Sequence, residues 1–304
     1  MRKIAVFEDP AFSDTHKIAL SKIANVEFFI DKKISQQEIE KLAPEYDIVV
    51  VDWLDPNPFL LNMKPNTLVA LLSTGYSWVA NIPVAYEQKK FVANIPEYCA
   101  ESVSEHLVGL LIGMNKNIFA NLLGQTTGAG TEIKNKTIGI IGLGKIGTRF
   151  AELTTAFGAN IITYSKTKKN SHLAKDVCLD TLLSESDIIC VTCSRNKESE
   201  LLINKDNINR VKKGAKIIGS TWNIIDPAAL ASAATKGDIA GIALDAALEA
   251  GDTIPDALLK APNTFLTRHS AYNTIESRER KAQVCFDNIE GFINGKPLNI
   301  IKGL

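Results

Sequence analysis

Residues 138–147 constrain the fold of this chain more than any other segment. They read Ile-Gly-Ile-Ile-Gly-Leu-Gly-Lys-Ile-Gly, so an apolar strand runs directly into the spacing Gly142-x-Gly144-x-x-Gly147. The strand, Thr137 to Ile141, has the β-branched, apolar character expected of a strand buried on both faces. Downstream, apolar residues at steps of four, three and four predict the buried stripe of a helix that Gly158 can end: Ile146, Phe150, Leu153 and Phe157.

Each glycine of this spacing has its own physical reason in a nucleotide-binding turn. Gly142 allows the tight turn, Gly144 lets a pyrophosphate approach the backbone, and Gly147 lets the helix pack closely on the strand. The N–H groups and the positive end of the helix dipole would face the phosphates. The segment therefore predicts a dinucleotide site; the alternative is a plain strand, turn and helix without a ligand.

The end of the second strand, Asn160 to Tyr164, indicates which dinucleotide is bound. An NAD-binding fold usually carries Asp or Glu here to hold the ribose hydroxyls. This chain instead reads Ser165-Lys166-Thr167-Lys168-Lys169, a hydroxyl followed by three lysines among four residues. Donors and positive charge suit a 2′-phosphate. We therefore predict NADP, with NAD as the second choice; a solvated lysine-rich loop is the alternative explanation.

Composition limits the classes of partner. The 304 residues fit two domains, and Lys plus Arg equals Asp plus Glu at 34 each, so no charge excess favours nucleic acid or an acidic membrane. The N-terminus lacks the apolar core of a secretory signal, and the most apolar run, Leu107 to Met114, is too short to cross a bilayer. We expect a cytoplasmic protein that acts on a small molecule and contacts neither membrane nor nucleic acid.

The five cysteines predict thiols rather than a metal site. Cys190-x-x-Cys193 resembles a redox or metal pair, but it lies on the predicted strand Asp187 to Cys193, where residues three apart point to opposite faces. No second Cys or His pair lies near it in the sequence to complete a zinc site. We therefore predict no bound metal.

Strands and helices alternate along the first hundred residues. The predicted strands are Lys3 to Phe7, Val26 to Ile30, Asp47 to Asp52, Leu68 to Ser73 and Phe91 to Asn94. The predicted helices are His16 to Ile23, Gln36 to Leu42 and Val84 to Lys89. This alternation predicts a doubly wound parallel sheet that lacks a glycine fingerprint.

One long helix, Ala100 to Leu122, is predicted to link this sheet to the nucleotide fold. Gly109 and Gly113 lie four residues apart on it and would admit another helix, either a partner subunit's or one of the same chain.

Beyond the second strand of the nucleotide fold, the alternation continues to the end of the chain. Further strands are predicted at Asp187 to Cys193, Ala215 to Ser220, Ile239 to Asp245 and Thr264 to Thr267. Asp226-Pro227 predicts a helix start, and Gly237 its end.

The last helix, Thr274 to Asn294, is expected to return to the first domain. The predicted domains are residues 1–98 with 272–304, and residues 99–271, with a cleft between them where ligands of such folds bind.

Several segments, in order along the chain, resemble the D-isomer-specific 2-hydroxyacid dehydrogenases, especially the glyoxylate and hydroxypyruvate reductase branch. Besides the glycine motif and Ser165-Lys166-Thr167, they are Ser73-Thr74-Gly75-Tyr76, Val92-Ala93-Asn94-Ile95-Pro96, Glu101-Ser102-Val103-Ser104-Glu105-His106, Ser186-Asp187-Ile188-Ile189, Gly241-Ile242-Ala243-Leu244-Asp245 and Leu266-Thr267-Arg268-His269. The resemblance implies a flavodoxin-like substrate domain, a Rossmann NAD(P)-binding domain, a homodimer, and hydride transfer between NADP(H) and a 2-oxo or 2-hydroxy acid or a related carbonyl compound.

The resemblance also implies positions for ligand contacts. Substrate contacts are expected at Thr74, Gly75 and Tyr76. Cofactor contacts are expected at Gly142, Gly144, Lys145, Ile146, Gly147, Ser165, Lys166, Thr167, Cys193, Ser194, Thr221 and Asp245.

The family's catalytic acid maps to His269, whereas His16, His106 and His172 lack that sequence context. A forming alkoxide needs a proton and a nearby cation. The family's arginine falls on Thr221 or, with a shifted gap, on Trp222, and its glutamate falls on Ala250, one residue after Glu249.

Neither replacement of the arginine is a cation, so Arg268 and Arg195 are the candidate substitutes, with Arg268 beside the acid. Two functions remain open on the sequence: a reductase that uses His269, and a catalytically silent NADP(H)-binding sensor.

Overall fold

The computed structural model describes residues 1–303 except 31, 33, 125–127, 167–170, 222–223 and 246–252. The chain divides into two compact units, Met1–Cys99 with Thr274–Leu304, and Ala100–Asn273. In the part of the chain that is described, no helix combines the length and the apolar character needed to span a membrane.

The described residues form strands and helices in alternation. The strands are β1 (Arg2–Val6), β2 (Ala24–Phe28), β3 (Ile48–Val51), β4 (Thr67–Leu71), β5 (Lys90–Ala93), β6 (Thr137–Ile141), β7 (Asn160–Tyr164), β8 (Lys175–Asp176), β9 (Ile188–Val191), β10 (Ala215–Gly219), β11 (Ile239–Asp245), β12 (Thr264–Thr267) and β13 (Ile300–Ile301). The helices are α1 (Asp14–Ile23), α2 (Gln36–Leu42), α3 (Asn57–Leu60), α4 (Ile82–Glu87), α5 (Ala100–Asn115), α6 (Ile118–Leu122), α7 (Lys145–Ala156), α8 (Leu179–Glu185), α9 (Pro227–Thr235), α10 (Asp256–Leu259) and α11 (Ile275–Ile293).

The first unit is built on a sheet with the order β13-β5-β4-β3-β1-β2. Strands β1 to β5 are parallel to their neighbours, and β13 adds an antiparallel edge beside β5. The parallel part has the flavodoxin-like order 2-1-3-4-5. Helix α11 packs on α1 and β4, so the last helix belongs to this unit.

The second unit is built on a sheet with the order β12-β11-β10-β9-β6-β7-β8, in which neighbouring strands are parallel. Numbered within the unit, the order is the Rossmann order 3-2-1-4-5-6 with one more strand at the edge. The prediction of two α/β units with parallel, doubly wound sheets is confirmed.

The predicted helix ends are confirmed at α7 and α9. Gly158 and Gly237, each two residues after the last helical residue, have φ angles of +82° and +76°. That left-handed conformation is available to glycine at no steric cost. At the start of α9, the Asp226 carboxylate accepts the N–H groups of Ala228 and Ala229.

The prediction of one helix over Ala100 to Leu122 is wrong. Helix α5 ends at Asn115, and Asn117 takes a left-handed conformation with φ +55° before α6 begins. The break turns Phe119 back onto α5, where a Cβ on Gly113 would lie 2.2 Å from the ring atom Cζ. Gly113 therefore accommodates an aromatic ring from α6, a helix of its own chain, which is the intrachain alternative.

Two further expectations fail for local reasons. Phe157 is 46% exposed because α7 ends at Ala156, which removes residue 157 from the buried stripe, whereas Phe150 is fully buried. Strand β9 ends at Val191, so Cys193 lies beyond it and the alternation of strand faces does not apply to the Cys190 and Cys193 pair.

Gly113 and Gly109 provide a matched test of this packing. Gly113→Ala should destabilise the protein by about 1–3 kcal/mol, because the new methyl group displaces the Phe119 ring. Gly109→Ala should leave stability unchanged or raise it by about 0.5–1 kcal/mol, since no described residue lies within 4 Å of its Cβ position and alanine favours helix. Thermal unfolding followed by circular dichroism measures both. Equal effects of the two substitutions would contradict the assignment.

Candidate functional site

The candidate functional site lies at the carboxyl edge of the second sheet. Parallel strands end on the same side of a sheet, and the residues that follow them therefore line one edge. The predicted site residues at this edge are Gly142 and Gly144 after β6, Ser165 and Lys166 after β7, Cys193 and Ser194 after β9, Thr221 after β10, Asp245 at the end of β11, and Arg268 and His269 after β12. Lys145, Ile146 and Gly147 form the first turn of α7.

The turn between β6 and α7 is tight enough to require glycine twice. Gly142 has φ +95°, and a Cβ there would lie 2.6 Å from the backbone nitrogen of Cys193. A Cβ on Gly147 would lie 2.3 Å from the Gly142 carbonyl oxygen and 2.8 Å from Thr192 Oγ1. Backbone atoms cannot move aside cheaply, so both glycines are required by the fold itself.

Gly144 has a different environment. Its φ of −76° suits any residue, and a Cβ there would meet no described atom within 4 Å. It is also the N-cap of α7, and within the described residues no side chain caps this helix. An uncapped helix N-terminus whose glycine has no packing reason fits a phosphate that approaches the backbone. The residues present therefore fit a dinucleotide.

Ser165 ties the end of β7 to this turn. Its Oγ accepts the N–H of Leu143 at 2.9 Å, and the N–H of Gly142 donates to the Tyr164 carbonyl at 2.9 Å. The Ser165 hydroxyl proton is not used in the bond to Leu143. Lys166, the next residue, pairs with the Glu198 carboxylate. Thr167, Lys168 and Lys169 lie outside the described residues.

The cysteines near the turn are neutral thiols. Burial raises the pKa of Cys193 to about 11 and raises that of Cys190 well above its usual value. A thiolate, the form that attacks or binds metal, is therefore disfavoured at both positions near neutral pH. Among the described residues, no group of three or more His, Cys, Asp or Glu side chains could hold a metal ion.

His269 lies in a short loop with an uncommon backbone. Its φ is +48°, which few non-glycine residues adopt, and its half-buried ring contacts the ring of Tyr272 edge-on with centroids 5.3 Å apart. The side chain of Asp245 fixes the conformation of this loop. Its buried carboxylate accepts Thr267 Oγ1 at 2.6 Å and the N–H groups of Ser270 and Ala271 at 3.0 Å each.

Helix α5 holds the same loop through two side chains that lie far away in the sequence. Since the Thr267 hydroxyl proton is donated to Asp245, its oxygen accepts from His106 Nε2, 3.1 Å away. Ser102 Oγ donates to the Ala271 carbonyl. The segment Glu101 to His106 was recognised in the sequence, but a contact across 161 residues leaves no local pattern that identifies His106 as part of the site.

The residues at the expected arginine and glutamate positions are described only in part. Thr221 is half-buried after β10, whereas Trp222, Glu249 and Ala250 lie outside the described residues. Arg268 is exposed beside His269. Arg195 pairs with Glu200 at 3.2 Å in the loop after β9.

The predicted substrate loop lies in the first unit, at the carboxyl end of β4. Thr74 Oγ1 donates to the Ile95 carbonyl at 2.8 Å, and Asn94 donates to the Thr74 carbonyl at 2.7 Å, which ties the loop to the end of β5. Gly75 is exposed. Tyr76 and Trp78 pack against the hydrophobic core of this unit, so apolar packing explains both aromatic residues.

Comparison with known proteins identifies the family. Residues 112–271 match the NAD binding domain of the D-isomer specific 2-hydroxyacid dehydrogenases. The hydroxypyruvate reductase of Blautia hydrogenotrophica (strain DSM 10507 / JCM 14656 / S5a33) is 30% identical over 287 residues, which cover 88% of each chain. The chain therefore belongs to the D-isomer specific 2-hydroxyacid dehydrogenase family, as its motifs predicted, and this is a family of oxidoreductases that use a nicotinamide cofactor.

Solved structures of similar fold cover almost the whole chain. An acyclic imino acid reductase in complex with NADPH and D-Arg has a TM-score of 0.86 at 26% identity, covering 98% of this chain and 99% of the other. A glyoxylate reductase from Paecilomyes thermophila has a TM-score of 0.87 at 22% identity, covering 99% and 98%, and supports the fold alone.

Gly144 and Gly142 should separate cofactor binding from folding. Gly144→Val should lower the melting temperature only slightly, because a Cβ there meets no described atom within 4 Å and the loss is that of a good N-cap residue, yet weaken NADPH binding by at least about 10-fold. Gly142→Val should lower stability by about 2 kcal/mol or more through its positive φ and its clash with Cys193. NADPH fluorescence titration and thermal unfolding measure these effects. Unimpaired NADPH binding by the Gly144 variant would show that the phosphates do not bind at this turn.

Proposed function

We propose that this protein is an NADP(H)-dependent reductase of a small 2-oxo acid or a related carbonyl or imine compound, with His269 as the general acid when the substrate is a carbonyl compound. The observation that carries the proposal is the His269 loop, which Asp245 and helix α5 fix at the same sheet edge as the glycine turn. A loop held by buried hydrogen bonds in an uncommon conformation is the kind of support that a positioned catalytic side chain needs.

The chemistry assigned to His269 follows from charge. When hydride reaches a carbonyl carbon, the oxygen gains negative charge and needs a proton. The imidazolium form of a histidine carries a proton that it can deliver to this oxygen. The bound nicotinamide supplies the hydride, and the protein supplies the proton and the orientation of the substrate.

The preference for NADP rests on the end of β7. A carboxylate at this position would repel a 2′-phosphate, whereas the Ser165 hydroxyl and the Lys166 ammonium can bind one. The similar imino acid reductase was solved with NADPH, which supports the same choice.

The substrate class depends on the residue that replaces the family's arginine. Without a guanidinium at 221 or 222, a carbonyl substrate loses a donor that stabilises the forming oxyanion, a loss of roughly 2.7–4 kcal/mol. A protonated imine has the opposite requirement, because hydride neutralises its positive charge and a nearby cation would oppose its binding. The likeness to an imino acid reductase favours an imino acid as the second candidate substrate.

Turnover tests the enzyme against the silent NADP(H) sensor. We expect oxidation of NADPH with a member of a panel of glyoxylate, hydroxypyruvate, pyruvate and the imines that form from 2-oxo acids and ammonia. His269→Ala should lower the rate on a carbonyl substrate by about 100- to 10,000-fold without weakening NADPH binding. His172→Ala, which changes an exposed histidine of the same unit, should leave the rate unchanged.

Each result of this assay distinguishes a different mechanism. Full activity of the His269 variant would exclude it as the acid. Tight NADPH binding without turnover on any panel member would favour the sensor. Faster turnover when ammonia is added would identify the imine as the substrate.

We further propose that the protein is a homodimer that uses an apolar surface around α6. Ile118, Leu122 and Leu123 lie on or beside this helix, and the two leucines are 80% and 66% exposed. Exposed apolar groups of this size are often covered by a partner.

Light scattering after size exclusion should therefore give close to twice the chain mass of 33.1 kDa. The double substitution of Leu122 and Leu123 by Ser should shift the protein toward the monomer. Leu201→Ser, at a 42% exposed leucine of the same unit, serves as the control. A monomeric native protein, or equal dissociation of both variants, would contradict the α6 interface.

A further inference from the structure

The ion pair between Lys166 and Glu198 lies at the position where the adenosine ribose of a dinucleotide is expected. Both side chains are largely exposed, at 75% and 64%. A surface pair of this kind adds little to stability. Its position is more informative than its energy, because Lys166 directly follows Ser165 at the end of β7.

The pair connects the two strands that flank the glycine turn. Strand β6 pairs with β7 on one side and with β9 on the other. Glu198 belongs to the loop after β9, so its carboxylate reaches past the carboxyl end of β6 to contact a residue after β7. The loop after β9 therefore delivers a carboxylate to the ribose end of the site.

Hydrogen bonds within the loop fix the backbone that carries Glu198. Asn196 Oδ1 accepts the N–H groups of Glu198 and Ser199 at 2.9 and 3.1 Å. The buried Ser199 side chain accepts the Asn196 N–H at 2.9 Å and donates to the Ser194 carbonyl at 2.7 Å. These hydrogen bonds fix the backbone at Glu198, so the loop conformation places the Glu198 side chain within reach of Lys166.

We propose that Glu198 determines the cofactor preference of this protein, by opposing the 2′-phosphate of NADP and accepting the ribose hydroxyls of NAD. Lys166 would hold the 2′-phosphate of NADP, and the Glu198 carboxylate would compete for its ammonium group and repel the phosphate. With NAD, the same carboxylate can serve the role that an Asp or Glu after the second strand has in other dinucleotide folds. Glu198 thereby reduces the preference for NADP over NAD that Lys166 produces, so the protein can still bind NAD.

This inference rests on the proposed function, since it assigns the ribose end of the same nucleotide site. The test is the ratio of the dissociation constants for NADH and NADPH, from nicotinamide fluorescence titrations of the full chain. Glu198→Gln should tighten NADPH by about 3- to 10-fold and leave NADH unchanged or weaker. Glu200→Gln is the control. It removes the same charge from the same loop, but Glu200 pairs with Arg195 and not with Lys166, so this substitution should not change the ratio.

Lys166→Ala completes the design. It should weaken NADPH more than NADH, and in that background Glu198→Gln should still tighten NADPH if the carboxylate repels the phosphate directly. If the native protein binds the cofactors, the nucleotide site is supported. In that case an unchanged ratio of dissociation constants in the Glu198 variant, or the same shift in the Glu200 control, would overturn the inference. A native protein that binds neither cofactor would overturn the proposed function and the inference with it.

Discussion

The close approach of the β6 to α7 turn to the end of β9 is the constraint on which the site depends. A Cβ on Gly142 would clash with Cys193, and a Cβ on Gly147 would clash with the Gly142 carbonyl oxygen. Two glycines are therefore needed for the chain to close the turn at all. This tight turn places the N-terminus of α7 at the carboxyl edge of the sheet. Gly144 is its N-cap residue, and no described side chain caps the helix. We therefore propose that folding and phosphate binding depend on different glycines of one motif.

The loop that carries His269 is the second element that fixes the site. Its conformation is unfavourable locally, and hydrogen bonds from three residues of other parts of the chain compensate: Asp245, His106 and Ser102. The Asp245 carboxylate is directed into this network, which makes it a positioning residue for the loop. A rigid support of this kind is consistent with proton transfer, where a small misplacement lowers the rate greatly.

The proposed substrate and cofactor choices both depend on charge at the carboxyl edge of the second sheet. The sequence places no cation at the expected arginine, and the Lys166 charge at the cofactor end is shared with Glu198. Both changes lower the positive charge along the carboxyl edge of the sheet. This lower positive charge is the basis of our proposals that a cationic imine is a candidate substrate and that either nicotinamide cofactor can bind.

Some strands and one helix, α2 (Gln36–Leu42), have the bounds that the sequence patterns predicted. Strands Thr137–Ile141, Asn160–Tyr164 and Thr264–Thr267 begin and end as predicted, because short apolar runs bounded by polar turns leave little choice. The prediction of one helix from Ala100 is wrong because the apolar periodicity continues through the break at Asn117, where Phe119 packs on Gly113. The prediction that Phe157 is buried is wrong because the apolar stripe extends one residue past the end of α7.

The sequence by itself determined the fold class, the nucleotide turn and the family, since glycine spacing, strand composition and helix caps are local properties of the chain. Tertiary structure decided which residues support those elements. The contacts of His106 with Thr267 and of Glu198 with Lys166 join segments 161 and 32 residues apart. Such pairs are set by strand order, and strand order is a property of the whole sheet that no local pattern contains.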